Sequence, residues 1–417
     1  MEGRLNIIVD ERNLEGFKGE TILDVAKRYQ IDIPTLCHDP RLKPYSSCFV
    51  CVVEVEGMTN MQPACSTEIS EGMKIRTNSK KVRQARKTAL DLLLSNHFAD
   101  CVAPCTETCS AGVDVQGYIS LIEKGLYSEA IGLIKQTNPL PAICGRVCVR
   151  PCELSCRRNF LEEGTGVGID YLKRYAADRD LLDSQGHYQP DVAPVTDKKI
   201  AIIGAGPGGL SAAYFLQQKG HQCDIYEAAP LPGGWLRYGI PEYRLPNDVL
   251  DKEIQTITEL GVNIYCNQKL GDNLSYKDLR DKYNGVVLTI GSQKGTSLRT
   301  EGEDAENVIS GIEFLRNLEM TGQKPDLKGK TVGVVGGGNT AMDCCRTAKR
   351  CGAEKVYVIY RRAEEQMPAN QIEVHESKLE GVEYMLLTNP VKVNKDKHGK
   401  LLSLTLVKMQ LGDPDSS

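Results

Sequence analysis

Eleven of the sixteen cysteines in this chain fall before residue 157, in groups spaced as metal ligands are. Cys37, Cys48, Cys51 and Cys65 give the pattern C-x10-C-x2-C-x13-C. Four thiolates can hold a [2Fe–2S] cluster, and three on one loop let the backbone fold over the sulfides. A lone C-x2-C serves zinc equally well, so zinc is the competing ion. A second group lies in HFADCVAPCTETC and CGRVCVRPCELSC. It comprises Cys101, Cys105 and Cys109, then Cys144, Cys148, Cys152 and Cys156, each separated from the next within its block by three residues. Two cubane clusters need eight ligands, and the segment offers seven thiols.

Two glycine loops downstream point to nucleotide phosphates. Lys199 to Ile203 reads as a strand and runs into Gly204-Ala-Gly206-Pro-Gly-Gly209 and a helix. The first glycine allows the tight turn, the second admits a pyrophosphate, and the third lets helix and strand approach. The helix N-terminus then faces the phosphates. The next strand, Gln222 to Tyr226, ends at Glu227, 18 residues past Gly209, where a carboxylate can accept from both ribose hydroxyls. The motif recurs from Thr331 to Val335 with Gly336-Gly-Gly338-Asn339-Thr340-Ala341 and a helix to Arg350. Here the partner strand, Lys355 to Tyr360, ends in Arg361 and Arg362 instead of an acid. Two guanidinium groups suit a 2′-phosphate, which favours NADP over NAD. The bland alternative is a pair of surface arginines.

The elements that must position these groups follow from local pattern. Leu5 to Val9 and Val52 to Val55 read as strands, and Thr21 to Gln30 as a helix with a Thr21–Asp24 capping pair. Ser79 to Ser95 forms a helix whose basic run (Lys80, Lys81, Arg83, Arg86, Lys87) reads as a solvated face. Val115 to Gln136 gives two short helices broken near Gly125, and Arg179 to Lys198 a linker. Cys223, Cys266, Cys344, Cys345 and Cys351 read as small core residues. The chain has 51 basic and 55 acidic residues, a net charge of −4, too mild for nucleic acid or membrane surfaces. No apolar run approaches the roughly 18 residues of a membrane span, and MEGRLNIIVDERN has no signal-peptide core. A cytoplasmic, reducing setting is therefore expected, with clustered cysteines as metal ligands rather than secreted disulfides.

Cys37, Cys48, Cys51 and Cys65 resemble the ferredoxin-like N-terminal domain of the complex I large electron-transfer subunit and of iron-only hydrogenases. That resemblance implies a β-grasp fold with a [2Fe–2S] centre. Cys105/Cys109, the run NPLPAICGRVC (Asn138 to Cys148) and Cys152/Cys156 resemble the two-[4Fe–4S] domain of the glutamate synthase small subunit. Similar domains occur in dihydropyrimidine dehydrogenase and the NADH-dependent ferredoxin:NADP oxidoreductase large subunit. The resemblance implies one cubane on Cys101, Cys105 and Cys156, with His97 where the family's first cysteine is missing. A structural histidine is equally consistent there. It implies the other on Cys109, Cys148 and Cys152, with Cys144 either a buried thiol or the recruited fourth ligand. The carboxylate or amide that relatives use is expected to be replaced near Asp170 to Arg174.

The run GGWLRYGIPEYRLP (Gly233 to Pro246) resembles a stretch lying over FAD, which adds Gly234 to the cofactor-binding set. There Trp235, in place of the usual leucine, either stacks on the flavin or packs in the core. VVLTIG (Val286 to Gly291) resembles the strand returning to the dinucleotide and adds Gly291. YRRAEEQMPA (Tyr360 to Ala369) resembles the family's NADPH segment. Relatives continue beyond KMQLGDPDSS and return to the flavin domain, so the stop at Ser417 implies either a truncated sequence or a flavin site that is incomplete or completed by other means.

The expected fold class is multidomain α+β and α/β. Its parts are a β-grasp ferredoxin domain (1–77), a helical two-cluster domain and linker (78–190), and Rossmann-like FAD-binding (191–320) and NADPH-binding (321–417) domains. The expected function is electron transfer between NADP(H) and a partner subunit through FAD, two [4Fe–4S] clusters and a [2Fe–2S] cluster. The flavin is the catalytic group, and no side chain is named as acid or base. Complex-I-like flavin or iron–sulfur subunits, or ferredoxin, are the expected partners, within a transhydrogenase (bifurcating or not), hydrogenase or formate dehydrogenase complex. A glutamate synthase small subunit and a non-catalytic iron–sulfur relay are the alternatives.

Overall fold

The computed structural model of the chain describes residues 3–95, 101–161, 165–183 and 186–412. The chain divides into two compact units, Met1–Cys101 and Val102–Ser417.

The first unit starts with a hairpin of β1 (Arg4–Val9) and β2 (Arg12–Phe17), paired from Arg4↔Phe17 to Val9↔Arg12. Asp10 and Glu11 make its turn with φ of 46° and 69°, as two-residue hairpin turns require. Helix α1 (Ile22–Arg28) is capped by Thr21, whose side chain accepts from Asp24 N–H while the Asp24 carboxylate accepts from Thr21 N–H. This is the pair expected from sequence. Strands β3 (Val52–Val55), β4 (Gln62–Pro63) and β5 (Lys74–Arg76) complete a sheet ordered β2-β1-β5-β3-β4. Its apolar face, with Ile7, Val9, Val53, Val55 and Ile75, packs on Ile22, Val25 and Ala26 of α1, and the same core takes in Cys51 and Cys65.

Helix α2 (Lys80–Ser95) buries only Val82, yet its basic run is not simply solvated. Arg86 donates to the Val52 carbonyl through Nε (3.2 Å) and Nη2 (3.0 Å), and Lys81 pairs with Glu54 at 3.7 Å. Both contacts hold the helix on β3.

The second unit opens with α3 (Pro104–Glu107), α4 (Val115–Glu123), α5 (Tyr127–Lys135), α6 (Pro141–Val147), α7 (Pro151–Leu154) and α8 (Ile169–Leu181). Gly125, at φ 75°, separates α4 from α5 where the sequence puts the break. Gly145 lets α6 cross α8 closely, since a Cβ there would stand 2.8 Å from Arg174 Cα. Helix α8 takes in Arg179 to Leu181, which read as linker. The Asp180 carboxylate turns inward to accept from Tyr188 N–H (3.0 Å), and that contact extends the ordered helix.

Two parallel sheets follow. The first, ordered β8-β7-β6-β9, contains β6 (Lys199–Ile203), β7 (Gln222–Tyr226), β8 (Asn263–Tyr265) and β9 (Gly285–Leu288). With it go α9 (Pro207–Gln218), α10 (Trp235–Tyr238), α11 (Asn247–Thr258) and α12 (Tyr276–Lys282). Helix α13 (Gly311–Thr321) leads to the second, ordered β10-β11-β12: β10 (Thr331–Val335), β11 (Lys355–Ile359) and β12 (Glu383–Met385). Its helices are α14 (Asn339–Arg350) and α15 (Gln371–Leu379), and the hairpin β13 (Thr388–Lys395) and β14 (Leu401–Lys408) follows. In both sheets a strand–helix–strand crossover between parallel neighbours puts the glycine loop at the carboxyl end of the first strand, where such sheets bind ligands. Among the described residues no helix is long and apolar enough to cross a membrane.

Candidate functional site

In the first unit Cys48, Cys51 and Cys65 are buried and Cys37 is exposed. The thiols stand as two neighbouring pairs, Cys37 with Cys48 and Cys51 with Cys65. Hydrogen bonds from Ser47 and Cys48 pull the Cys37 thiol down to about 7, whereas burial pushes Cys51 up to about 11. Phe49 takes the left-handed conformation (φ 54°), and the next amide, Val50 N–H, donates to Cys48 Sγ at 3.5 Å. An amide aimed at sulfur favours a thiolate over a thiol. The partly buried Arg86 guanidinium lies close enough to Cys51 to feel its charge. Sequence reading missed this role for Arg86, because the residue lies on a helix and its partner on a strand far away in the chain.

In the second unit the same device recurs. Arg150, at φ 60°, donates its amide to Cys148 Sγ at 3.3 Å. Burial lifts the Cys152 thiol to about 12 and raises those of Cys105 and Cys144. Cys105 lies near Cys156, and Cys144 and Cys152 both lie near Cys148. Cys105, Cys109 and Cys152 belong to the core that buries Tyr118 and lie close enough to act on its hydroxyl. The stretch expected to have lost its polar ligand holds a buried carboxylate, Asp170, 1% exposed. Lys173 Nζ stands 2.6 Å and Arg150 Nε 3.3 Å from it. Among the described residues no three His, Cys, Asp or Glu side chains converge as a metal site. The donor chemistry nevertheless suits iron: thiols in pairs and groups, amides on sulfur, and cations beside them. Cys101 is exposed, and His97 lies outside the described residues.

Helix α6, which carries the first thiol of the second block, Cys144, is seated on the first parallel sheet. Leu140 and Ile143 share a core with Ile202, Leu210, Leu250 and Ile254. Glu253 of α11, fully buried, accepts from Ala142 N–H (3.1 Å) and Ile143 N–H (2.7 Å). Lys135 Nζ donates to Thr256 Oγ1 at 3.1 Å beside it. No local sequence signal marks Glu253, because its partners lie over a hundred residues away. Burial raises the Glu253 carboxyl to about 7 against the pull of Lys135. A raised carboxyl contributes stability below its unfolded pKa and loses it as pH climbs through about 7. The wild-type melting temperature should therefore fall between about pH 4.5 and 7 by the equivalent of roughly 3 kcal/mol. Glu253→Gln should lack that slope, and parallel melting curves for the two proteins across this range would refute the assignment.

The first glycine loop has the geometry its spacing predicts. Gly204 has φ 105°, and Gly206 caps α9 with Pro207 at the first position. A Cβ at Gly209 would fall on the Gly204 carbonyl oxygen and 2.8 Å from Thr289 Oγ1. Thr289, which the sequence reading did not single out, donates to the carbonyls of Ile203 (2.9 Å) and Gly204 (3.0 Å). Glu227 accepts from Ala205 N–H (2.7 Å) and Ala229 N–H (2.8 Å), so it braces the loop while each oxygen keeps a lone pair for a ribose. Gly234, at φ 54°, lies against Gly206, where a Cβ would stand 2.8 Å from Gly206 Cα. The Trp235 indole packs over Gly239. Gly291, at φ 65°, is exposed just beyond β9.

In the second loop Gly336 has φ 140° and Gly338 caps α14, with nothing within 4 Å of its added Cβ, an open cradle at a helix N-terminus. Asn339 Oδ1 accepts from Asn370 N–H at 2.8 Å and fixes the loop. Thr340 is exposed on the first turn, as are Arg361 and Arg362 beyond β11. Of the five cysteines read as core, Cys223, Cys344 and Cys345 are buried, and Cys266 and Cys351 half-buried.

Comparison with known proteins agrees with this geometry. Residues 198–416 match the pyridine nucleotide-disulphide oxidoreductase family, 2–80 the 2Fe-2S iron-sulfur cluster binding domain, and 74–184 the dihydropyrimidine dehydrogenase domain II, 4Fe-4S cluster. The beta subunit of the NADP(+)-dependent formate dehydrogenase of Moorella thermoacetica is 41% identical over 337 residues, 76% of this chain and 47% of that protein. The NADPH-Fe(3+) oxidoreductase subunit beta of Geobacter sulfurreducens is 40% identical over 321 residues, with the same two coverages, 76% and 47%. The chain thus spans about half the length of these relatives. The NADPH glutamate synthase small chain of Escherichia coli is 35% identical over 325 residues, 75% of this chain and 68% of that one. The chain belongs to the glutamate synthase small-subunit-like family of NADPH-dependent FAD/4Fe-4S oxidoreductases, and within it carries an N-terminal 2Fe-2S domain.

Proposed function

We propose that this chain moves electrons between NADP(H) and a partner subunit of a redox complex, with FAD, two [4Fe–4S] clusters and a [2Fe–2S] cluster as carriers. FAD, when bound, would accept the electron pair of one hydride and pass it on as two single electrons that iron–sulfur centres can take. The residues of the chain hold and space these groups. Cys37, Cys48, Cys51 and Cys65 hold the [2Fe–2S] centre in a β-grasp domain (1–77). Cys101, Cys105 and Cys156, with His97, hold one cubane, and Cys109, Cys148 and Cys152 the other, in the helical domain (78–190). Gly204, Gly206, Gly209, Glu227, Gly234 and Gly291 seat FAD in a Rossmann-like domain (191–320). Gly336, Gly338, Asn339, Thr340, Arg361 and Arg362 seat NADPH in the next (321–417).

One observation carries the reading. Helix α6, which carries Cys144 and is capped by Cys148, shares its hydrophobic core with the helix that Gly206 caps. A cysteine block and a flavin-type phosphate loop are thus packed on one shared core, as short-range electron transfer requires. The names of the relatives, subunit beta of a formate dehydrogenase and of an NADPH-Fe(3+) oxidoreductase, support a multisubunit setting. The sixteen free thiols support a cytoplasmic one.

Anaerobic iron, sulfide and flavin analysis, with EPR during NADPH titration, tests the proposal. About ten iron atoms per chain are expected, with flavin bleaching ahead of the iron signals. Cys51→Ala should remove about two of them and the [2Fe–2S] signal while flavin bleaching persists. Iron near two with bound zinc would overturn the two-cubane assignment.

A further inference from the structure

Between α10 and α11 the chain turns at Pro241, whose carbonyl accepts from Arg244 N–H (2.9 Å) and Leu245 N–H (3.1 Å). Leu245 is 1% exposed in the core of the flavin-type lobe, so the backbone of Arg244 is fixed there. Its side chain crosses to the second lobe. Nη1 reaches both oxygens of Asp343 on α14, at 2.8 and 2.9 Å, and Nε lies 3.1 Å from Glu373 on α15. Arg346 continues the network to Glu373, to Glu376 (2.7 Å) and to Glu380 (2.8 Å). Arg346 and Arg350 also lie over the Tyr243 ring, at 4.9 and 3.9 Å from its centroid. Arg244, Asp343, Glu373 and Arg346 are all nearly enclosed, with side chains 6–11% exposed.

A buried ion network of this kind is a poor source of stability compared with apolar packing, and its strength is geometric: it accepts one arrangement of its parts. Its two ends explain why one arrangement matters. The segment bearing Arg244 begins at Gly234, pressed on Gly206 of the first phosphate loop. Asp343 lies one turn into α14, about 6 Å along the axis from Asn339 at the open cradle. A continuous path of backbone and ion pairs therefore joins the two nucleotide loops.

We infer that Arg244 is a positioning residue that sets the nicotinamide lobe against the flavin lobe, so that a nucleotide seated in one loop is aligned with the cofactor seated in the other. The inference rests on the functional reading above for the identity of the two ligands, but not for the coupling of the lobes.

The test compares the wild-type holoprotein with Arg244→Met and the charge-conserving Arg244→Lys in three measurements: NADP+ affinity, the rate of flavin bleaching by saturating NADPH, and the calorimetric melting profile. For Arg244→Met, NADP+ affinity should stay within about twofold while bleaching slows on the order of 100-fold, because an ångström of misalignment costs that much. Its melting should split into two transitions where the wild type shows the two lobes melting together. Arg244→Lys, which keeps the charge but not the fork, should recover part of the rate. Bleaching at the wild-type rate in Arg244→Met overturns the inference, as does an affinity loss that matches the rate loss. If Arg244→Met does not fold, Arg244→Lys decides by the same split of rate from affinity. If NADPH bleaches no flavin even in the wild type, the functional reading falls. The melting profiles then still decide the coupling, and an unsplit transition in Arg244→Met rejects it.

Discussion

Replacing Arg361 and Arg362 together by serine is expected to weaken NADPH binding about 100-fold or more and to change NADH binding by no more than about threefold. Both arginines are exposed just beyond β11, and among the described residues neither forms an ion pair. Two guanidinium groups at the strand end where an NAD site would carry an acid are available to a 2′-phosphate. Hydrogen bonds to charged groups contribute about 1.5–3 kcal/mol each, and each 1.4 kcal/mol is tenfold in affinity. Structural damage is not expected, since no described contact holds either side chain. Equal losses for NADPH and NADH would remove the phosphate-reading role. The affinity difference should also shrink as salt rises, because the contact is exposed and charge-driven.

The elements that carry short-range signals were legible in the sequence. Strands β3, β6, β7 and β10 and helix α14 have the boundaries their apolar runs and glycines imply, and the Thr21–Asp24 cap lies where S/T-x-x-D places it. What escaped the sequence depends on distant partners. Arg86 reads as one charge in a basic run, yet its partner, the Val52 carbonyl, lies on a strand that the sequence does not pair with it. Glu253 reads as an ordinary acid on an amphipathic helix until Ala142 and Ile143 are placed against it. Trp235 had two readings, and the half-buried indole on Gly239 is compatible with both. The thiol groups are an intermediate case. Sequence reading put Cys48 on a loop and Cys148 in a regularly spaced block, but the left-handed Phe49 and Arg150 that aim amides at their sulfurs have no marker, because neither is glycine.

These long-range contacts share a purpose. Arg86 acts beside Cys51 in the first unit. Glu253 fixes α6 beside Cys144 in the second, and Thr289 fixes Gly204 against the end of β9. Each ties a segment beside a candidate site residue to a neighbouring helix or strand. A carrier chain needs this more than it needs reactive side chains, since its rates depend on separation and alignment rather than on an acid or base.

Gly209→Ala is expected to empty the flavin site, leaving less than about a tenth of wild-type flavin, while iron content is unchanged. The added Cβ would fall on the Gly204 carbonyl oxygen, a backbone atom that cannot rotate away, and would stand 2.8 Å from Thr289 Oγ1. Thr289 is itself held by its bonds to Ile203 and Gly204, so neither neighbour can yield. Helix α9 must then retreat from β6, and its N-terminus leaves the place where a pyrophosphate would meet it. Gly208→Ala is the internal control. Its Cβ would meet Thr289 Cγ2 at 3.6 Å, an ordinary contact, so flavin should be retained. Because the cysteines lie on other elements, iron measured in the same samples reports whether the fold survives. Full flavin in Gly209→Ala would mean that this loop is not the flavin seat, and loss of iron along with flavin would mean that the substitution acts on folding instead.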